Sequence, residues 1–225
     1  MNRSKVKIES LKQKWFNLLN ELEADCILGE TIFIELAIAY TDESRYYHNL
    51  NHVGYLLELA DSVRELAKLP TIKLAAWFHD YVYDPQAQDN EIQSAVYATQ
   101  TLTRLQLDPD LIESVRQIIL STQKHQPTID SADNRLFLDL DLAILGESSD
   151  RYLKYAQAIR KEYSWLSDRN YQQGRKQVLT NFLARKRIYY TDYFSQRLEQ
   201  QARANLLEEI KLLNYSLNGV DNSAL

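Results

Sequence analysis

Residues 74–81, Leu74-Ala75-Ala76-Trp77-Phe78-His79-Asp80-Tyr81, set an imidazole and a carboxylate side by side at the end of an apolar, helix-like run. Both groups are costly to bury unless something compensates them. A divalent metal would compensate both at once. Further candidate ligands lie to either side, His48 and His52 before the pair and His125, Asp139 and Asp141 after it. The chain has four histidines, all between positions 48 and 125, and the stretch from 126 to 225 holds none. Histidines scattered over a wet surface would be expected in that stretch too, so the clustering points to a shared site.

Outward from this run the chain reads with helical period almost throughout. Leu11, Trp15, Leu18, Leu19 and Leu22 share one face of a first helix. Residues 32–40 read as a shorter apolar helix and 41–44 as a break. A helix is expected to restart near Tyr46 or His48 and run through Val53, Leu56, Leu57 and Ala60 to about Lys68, with Pro70 ending it. Thr71 is the expected cap of the helix carrying His79 and Asp80, which Asp84-Pro85 ends. Asp89-Asn90-Glu91 offers a cap and a first-turn acid. Asp108-Pro109 is another start, a capping aspartate with proline at the first helical position, leading on to Thr122 and His125. Residues 127–134 read as a polar loop and 136–145 as a short apolar helix bearing Asp139 and Asp141, stopped by Gly146. Three more helices are expected over 149–166, 170–187 and 191–213. The last repeats Phe194, Leu198, Ala202, Leu206 and Ile210 at every fourth position. No stretch alternates as a strand with hairpin turns. The reading is an all-α single-domain helical bundle over residues 1–217, with a frayed tail over 218–225.

Composition narrows the function classes. A length of 225 residues suits one domain with a core of useful size. Hydrophobic content of 45% and charged content of 25% are those of an ordinary globular protein. A net charge of −5 gives no general attraction for nucleic acid or an anionic membrane. Arg185-Lys186-Arg187 is too short a basic run to change that. The single cysteine, Cys26, excludes an internal disulfide framework and any multi-cysteine zinc module. It accords with a reducing cytoplasm, the expected location. Residues 1–25 are charged throughout, with no apolar signal core. No apolar run approaches the roughly 18 residues needed to span a bilayer. Five glycines and four prolines leave no glycine-rich phosphate loop, so phosphate chemistry would need another apparatus.

His48 and His52 are spaced i, i+4 and are expected on one helix face, with Arg45 able to share it. His79 and Asp80 would point about 100° apart on a helix, so both can serve one ion only near a helix end or bend. Asp139 and Asp141 lie in an apolar run, where an unpaired carboxylate is penalised. Two histidines with two carboxylates suit a divalent ion with open positions for water, and manganese, iron, nickel, cobalt, zinc and magnesium are all chemically suitable. Such an ion lowers the pKa of its bound water to roughly 7 and clamps a phosphoryl oxygen.

The order of one His, then a His-Asp pair, then a lone Asp on a later helix resembles the HD superfamily of metal-dependent phosphohydrolases, over residues 46–146. Four blocks are similar, more narrowly, to a bacterial branch known as predicted HD-superfamily metal-dependent phosphohydrolases. They are Tyr47-His48-Asn49-Leu50-Asn51-His52, Trp77-Phe78-His79-Asp80, Asp89-Asn90-Glu91-Ile92-Gln93-Ser94 and Asp139-Leu140-Asp141-Leu142-Ala143-Ile144-Leu145-Gly146. Arg203-Ala204-Asn205-Leu206 extends the resemblance toward the C-terminus. It implies an HD-type bundle with His52, His79, Asp80 and Asp141 as the metal ligands. HD proteins place the last ligand just before a short apolar or basic helical run, which favours Asp141 and leaves Asp139 as the alternative. The family's ligand set has one histidine before the pair. His48 is therefore a candidate for orienting phosphate, donating a proton or joining a second metal. His125 is a similar candidate, with Lys124 as a phosphate contact. Glu91 is the candidate general base or an acceptor behind the ligands, and Arg45 the candidate partner of a substrate phosphate.

Each assignment competes with a plainer one. His79-Asp80 also fits a buried hydrogen-bonded pair, Glu91 a helix-start acid, His125 a loop histidine, and Arg45 and Lys124 solvated surface charges. The 15 tyrosines are more often helix-packing groups with wet hydroxyls than base-stacking platforms. The function expected is a cytoplasmic metal-dependent phosphohydrolase acting through a metal-bound hydroxide on a small phosphorylated molecule, with nucleotides among the candidates. A nucleotide-sensing module that keeps the metal pocket with little turnover is the alternative, since binding and hydrolysis use the same ligands. A metal-free helical interaction protein is the third reading.

Overall fold

Helix formation in this chain follows the apolar spacing closely. A computed structural model describes residues 3–63, 65 and 68–220, with side chains described over 8–63, 65 and 68–214. Among the described residues there are ten α-helices and one 3₁₀ turn, and no strand. The fold is all-α. No helix among them is long and apolar enough to cross a membrane. The contacts group into two compact units, Met1–Leu140 and Asp141–Leu225.

The first unit contains α1 (Arg3–Glu21), α2 (Cys26–Tyr40), α3 (Leu50–Ser62), α4 (Leu69–Phe78), α5 (Asn90–Arg104), α6 (Pro109–Thr122) and α7 (Ala132–Asp141), whose last residue crosses the boundary. Helix α4 is apolar on all sides because it is covered on all sides, meeting α1, α3, α5 and α6. Leu74, Ala75, Ala76, Trp77 and Phe78 are fully buried. Trp15 of α1 meets Trp77 and Phe78 edge-on at 5.6 and 6.1 Å between ring centroids, and Phe33 of α2 meets Trp77 at 6.1 Å. These offset ring geometries are the favourable ones for aromatic pairs. The Tyr40 hydroxyl donates to the Trp77 carbonyl at 3.0 Å, close to the point where α4 ends. The residues that carry the His-Asp pair are thus fixed by the centre of the unit.

Several boundaries differ from the sequence reading, each for a local reason. Helix α3 begins at Leu50, not at Tyr46 or His48, because Asn49 is its cap and accepts from the Asn51 N–H at 2.8 Å. His48 therefore precedes the helix that carries His52. Pro70 does not end a helix but lies in the first turn of α4, where its missing N–H costs nothing. Helix α4 stops at Phe78, before Asp84-Pro85 is reached. The stretch expected as a polar loop up to Asn134 already contains the start of α7 at Ala132.

The second unit opens with the 3₁₀ turn Leu142–Gly146, followed by α8 (Ser149–Glu162), α9 (Asp168–Leu183) and α10 (Asp192–Val220). At Gly146 a Cβ atom would stand 2.5 Å from the Leu198 Cβ, 2.8 Å from its carbonyl and 2.9 Å from the Tyr189 hydroxyl, so only glycine lets α10 come this close. Phe194, Ala202 and Leu206 are buried as the fourfold spacing predicts. Two polar residues of α10 are buried beside them. The Asn205 amide donates to the Leu145 and Glu147 carbonyls at 2.8 Å each. Glu209 receives a two-pronged pair from Arg175 at 2.8 and 3.1 Å, together with the Tyr152 hydroxyl. Helix α10 continues through positions 218–220, and the rest of the expected frayed tail, 221–225, lies outside the described residues.

Candidate metal centre

Three helices bring their polar groups to one place. His52 lies in the first turn of α3, His79 at the C-terminal end of α4 and Asp141 at the end of α7. Each offers one ligand atom, and these atoms all lie within 4.8 Å of one another. His52 and His79 are buried, and their Nε2 atoms stand 3.2 Å apart. One Oδ2 of Asp80 lies 3.0 Å from the His79 Nε2 and 3.7 Å from the His52 Nε2. The His79 Nδ1 stands 3.3 Å from the Ala76 carbonyl. A proton on Nδ1 leaves the Nε2 lone pair facing the group, the tautomer that a ligating histidine needs.

Local structure explains how neighbours in sequence come to share this spot. His79 closes α4 as its C-cap residue and Asp80 lies just beyond, so the 100° splay of a continuous helix does not apply. Burial pushes the Asp80 carboxyl up, but His79, His48 and His52 outweigh it and hold the group well below the usual carboxylate range. Asp80 is thus an anion at neutral pH, facing two imidazole nitrogens. Two imidazole nitrogens and two carboxylates form a set that a divalent cation satisfies, so the residues fit a metal ion.

Of the other expected site residues, His48 and Arg45 contact the group and Glu91 lies within its electrostatic reach. His48, in the turn before α3, stacks on the Tyr83 ring at 4.3 Å and meets the His52 ring edge-on at 6.0 Å. It remains beside the group although it is not on the α3 helix face. Glu91 is half-buried in the first turn of α5, and its carboxyl is raised from the usual value. Burial is the largest cause; its own backbone N–H lowers it, Asp80 raises it, and His125 and His79 lower it. Glu91 is thus within electrostatic reach of Asp80, His79 and His125. His125 follows α6 with φ of 46° and is half-buried, while its neighbour Lys124 is exposed. Asp139 is fully buried one residue to the other side of Leu140, and the convergent group contains Asp141. Arg45 is nearly buried. Its Nη1 donates to the Asp80 carbonyl at 2.6 Å and the His48 carbonyl at 3.3 Å, and its Nη2 to the Tyr81 carbonyl at 2.8 Å. The sequence reading missed Tyr83 and Tyr47. Tyr47 packs on His52 at 4.9 Å between ring centroids. Both stand within a few residues of a histidine, and that nearness was the available signal.

Fold and site together define an all-helical protein in which His52, His79 and Asp141 can hold a metal ion. Compared with known proteins, the chain matches no family model, no curated protein and no solved structure.

Proposed function

We propose that this chain is a metal-dependent phosphohydrolase of the HD type, acting in the cytoplasm on a small phosphorylated molecule, with nucleotides among the candidates. The observation that carries the reading is the meeting of His52, His79 and Asp141 within 4.8 Å, with Asp80 against both imidazoles. These are the four residues that the ordered HD blocks select as ligands. When bound, a divalent ion supplies Lewis acidity toward a phosphoryl oxygen and toward water. The remaining roles fall to the chain's own groups. Asp80, held as an anion, brings negative charge to the ligand set beside the two imidazoles. Glu91, with its raised carboxyl, accepts a proton from the attacking water, since a base closer to neutrality both takes and returns a proton readily. His48, beside His52, stabilises charge on the phosphate and its leaving oxygen, and His125 is a further candidate for that task.

The test is a phosphate-release screen over nucleoside mono-, di- and triphosphates and generic phosphoesters, each with several divalent metals, with Asp80→Ala beside the wild type. Turnover in the wild type that Asp80→Ala lowers by at least about a thousandfold, together with loss of bound metal, is expected; about 4 kcal/mol of barrier corresponds to that factor. A metal-loaded, active Asp80→Ala protein overturns the assignment. Metal binding without turnover anywhere in the panel replaces the enzyme by a nucleotide-sensing module.

A further inference from the structure

The sequence reading gives Arg45 to a substrate phosphate, but its surroundings suit another task. Three of its N–H groups are directed at backbone carbonyls, those of His48, Asp80 and Tyr81. The guanidinium lies 5.1 Å from the Tyr40 ring centre and 5.5 Å from that of Tyr83, so rings as well as hydrogen bonds define its plane. Helix α4 has ended at Phe78, and the carbonyls just after a helix end have no intrahelical partner. Arg45 supplies donors to two successive ones. That hold fixes the peptide units on either side of Tyr81 and, with them, the direction in which the Asp80 carboxylate leaves the chain. The same Nη1 reaches the His48 carbonyl, in the turn that leads through the Asn49 cap to His52. One side chain thus ties the segment presenting His52 to the segment presenting His79 and Asp80.

We propose that Arg45 is a positioning residue of the metal centre, its guanidinium fork pinning the Asp80 and Tyr81 carbonyls to the turn before α3 so that Asp80, His79 and His52 face one ion. The inference rests on the metal-centre reading above. A lysine keeps the charge and most of the stem but donates from a single point, so it cannot span the two carbonyls as the planar fork does. A positive charge near a helix C-terminus would be kept by lysine. The fork would not.

The experiment is a cobalt(II) titration of wild type, Arg45→Lys and Arg45→Met, following the visible absorption bands of bound cobalt, with circular dichroism to establish helix content. Arg45→Lys is expected to bind cobalt about 10- to 100-fold more weakly, the usual loss when a group behind the ligands is removed. Its bands at saturation should be shifted, because the ligand geometry has changed. Weaker packing alone would leave the bands of the folded, saturated protein where they are in the wild type. Arg45→Met keeps the stem without donors and should match Arg45→Lys; if it does not fold, Arg45→Lys decides alone. Wild-type affinity and bands in Arg45→Lys overturn the inference and leave the metal reading standing. A wild type that binds no cobalt overturns both.

Discussion

At the scale of single residues, Glu91 shows what a half-buried site costs. Its folded-state carboxyl is raised from 4.5 by burial first and then by Asp80. A raised carboxyl favours the protonated form in the folded protein, so its contribution is fully present at pH below the unfolded value and is lost as pH rises through the folded one. At pH 7 the folded chain therefore carries an ionised group it holds poorly. Glu91→Gln, a neutral mimic of the protonated acid, is expected to raise the Tm of metal-free protein at pH 7. The difference should close as pH falls below about 4.3, where both side chains are neutral in both states. Thermal melts of the two proteins with chelator, from pH 3.5 to 8, check this; a Tm gain that persists at low pH, or none at neutral pH, counts against the buried-charge account. Much of this residue-level arrangement was legible. The resemblance to the HD blocks implied His52, His79, Asp80 and Asp141 as ligands with Asp139 as the alternative, and the structure brings His52, His79 and Asp141 within 4.8 Å of one another. Arg45 was not legible, because nothing in its sequence neighbourhood says that α4 ends 33 residues later, between Phe78 and Asp80, and leaves carbonyls for it to hold. The left-handed backbone of His125 was equally hidden, since it depends on how α6 terminates.

At the scale of elements, the contrast between Trp15 and Trp77 shows how α4 is held. Both rings are fully buried and pack against each other edge-on. The Trp15 indole N–H donates to the Gly29 carbonyl at 2.9 Å, whereas the Trp77 N–H has no hydrogen-bond partner among the described residues. Phenylalanine removes comparable ring volume at either position but breaks a hydrogen bond only at the first. Such a bond contributes about 1 kcal/mol net. Trp15→Phe should therefore destabilise by about 1 kcal/mol more than Trp77→Phe, a gap of roughly 2–4 °C in Tm at this chain length. Urea or thermal unfolding of both variants measures it, and equal losses, or a larger loss at Trp77, would contradict the accounting. Helix type was readable because apolar spacing is set by burial. Boundaries were readable where the cap chemistry is unambiguous. Asp108 accepts from the Asp110 and Leu111 N–H groups at 2.9 and 3.1 Å, as Asp108-Pro109 predicts. Pro70 was misread because proline both ends helices and opens them, and only packing decides which.

At the scale of the whole chain, composition carries no sign of the grouping into two units. The boundary between Leu140 and Asp141 falls inside α7, with no glycine, proline or serine run to mark it. The candidate metal group is made only by folding, since His52, His79 and Asp141 are far apart in sequence and Asp80 reaches the two imidazoles only in the folded chain. An unfolded chain does not hold these groups together, so an ion that binds them binds the native state and adds its binding free energy to stability. At a metal concentration 100 times the dissociation constant this amounts to about 2.7 kcal/mol. For a chain of 225 residues that corresponds to a rise in Tm of roughly 5–11 °C over the chelated protein. The rise should grow with the logarithm of metal concentration and disappear in His52→Ala, which removes one of the three converging ligands. Melts with and without chelator, across a concentration series of manganese, zinc and nickel, measure both features. The ion giving the largest shift at a fixed concentration is the one the centre prefers. A wild type whose Tm ignores all three, or a His52→Ala protein that responds as strongly as the wild type, would show that the His52, His79 and Asp141 group is held together by its own hydrogen bonds and charges rather than built for an ion.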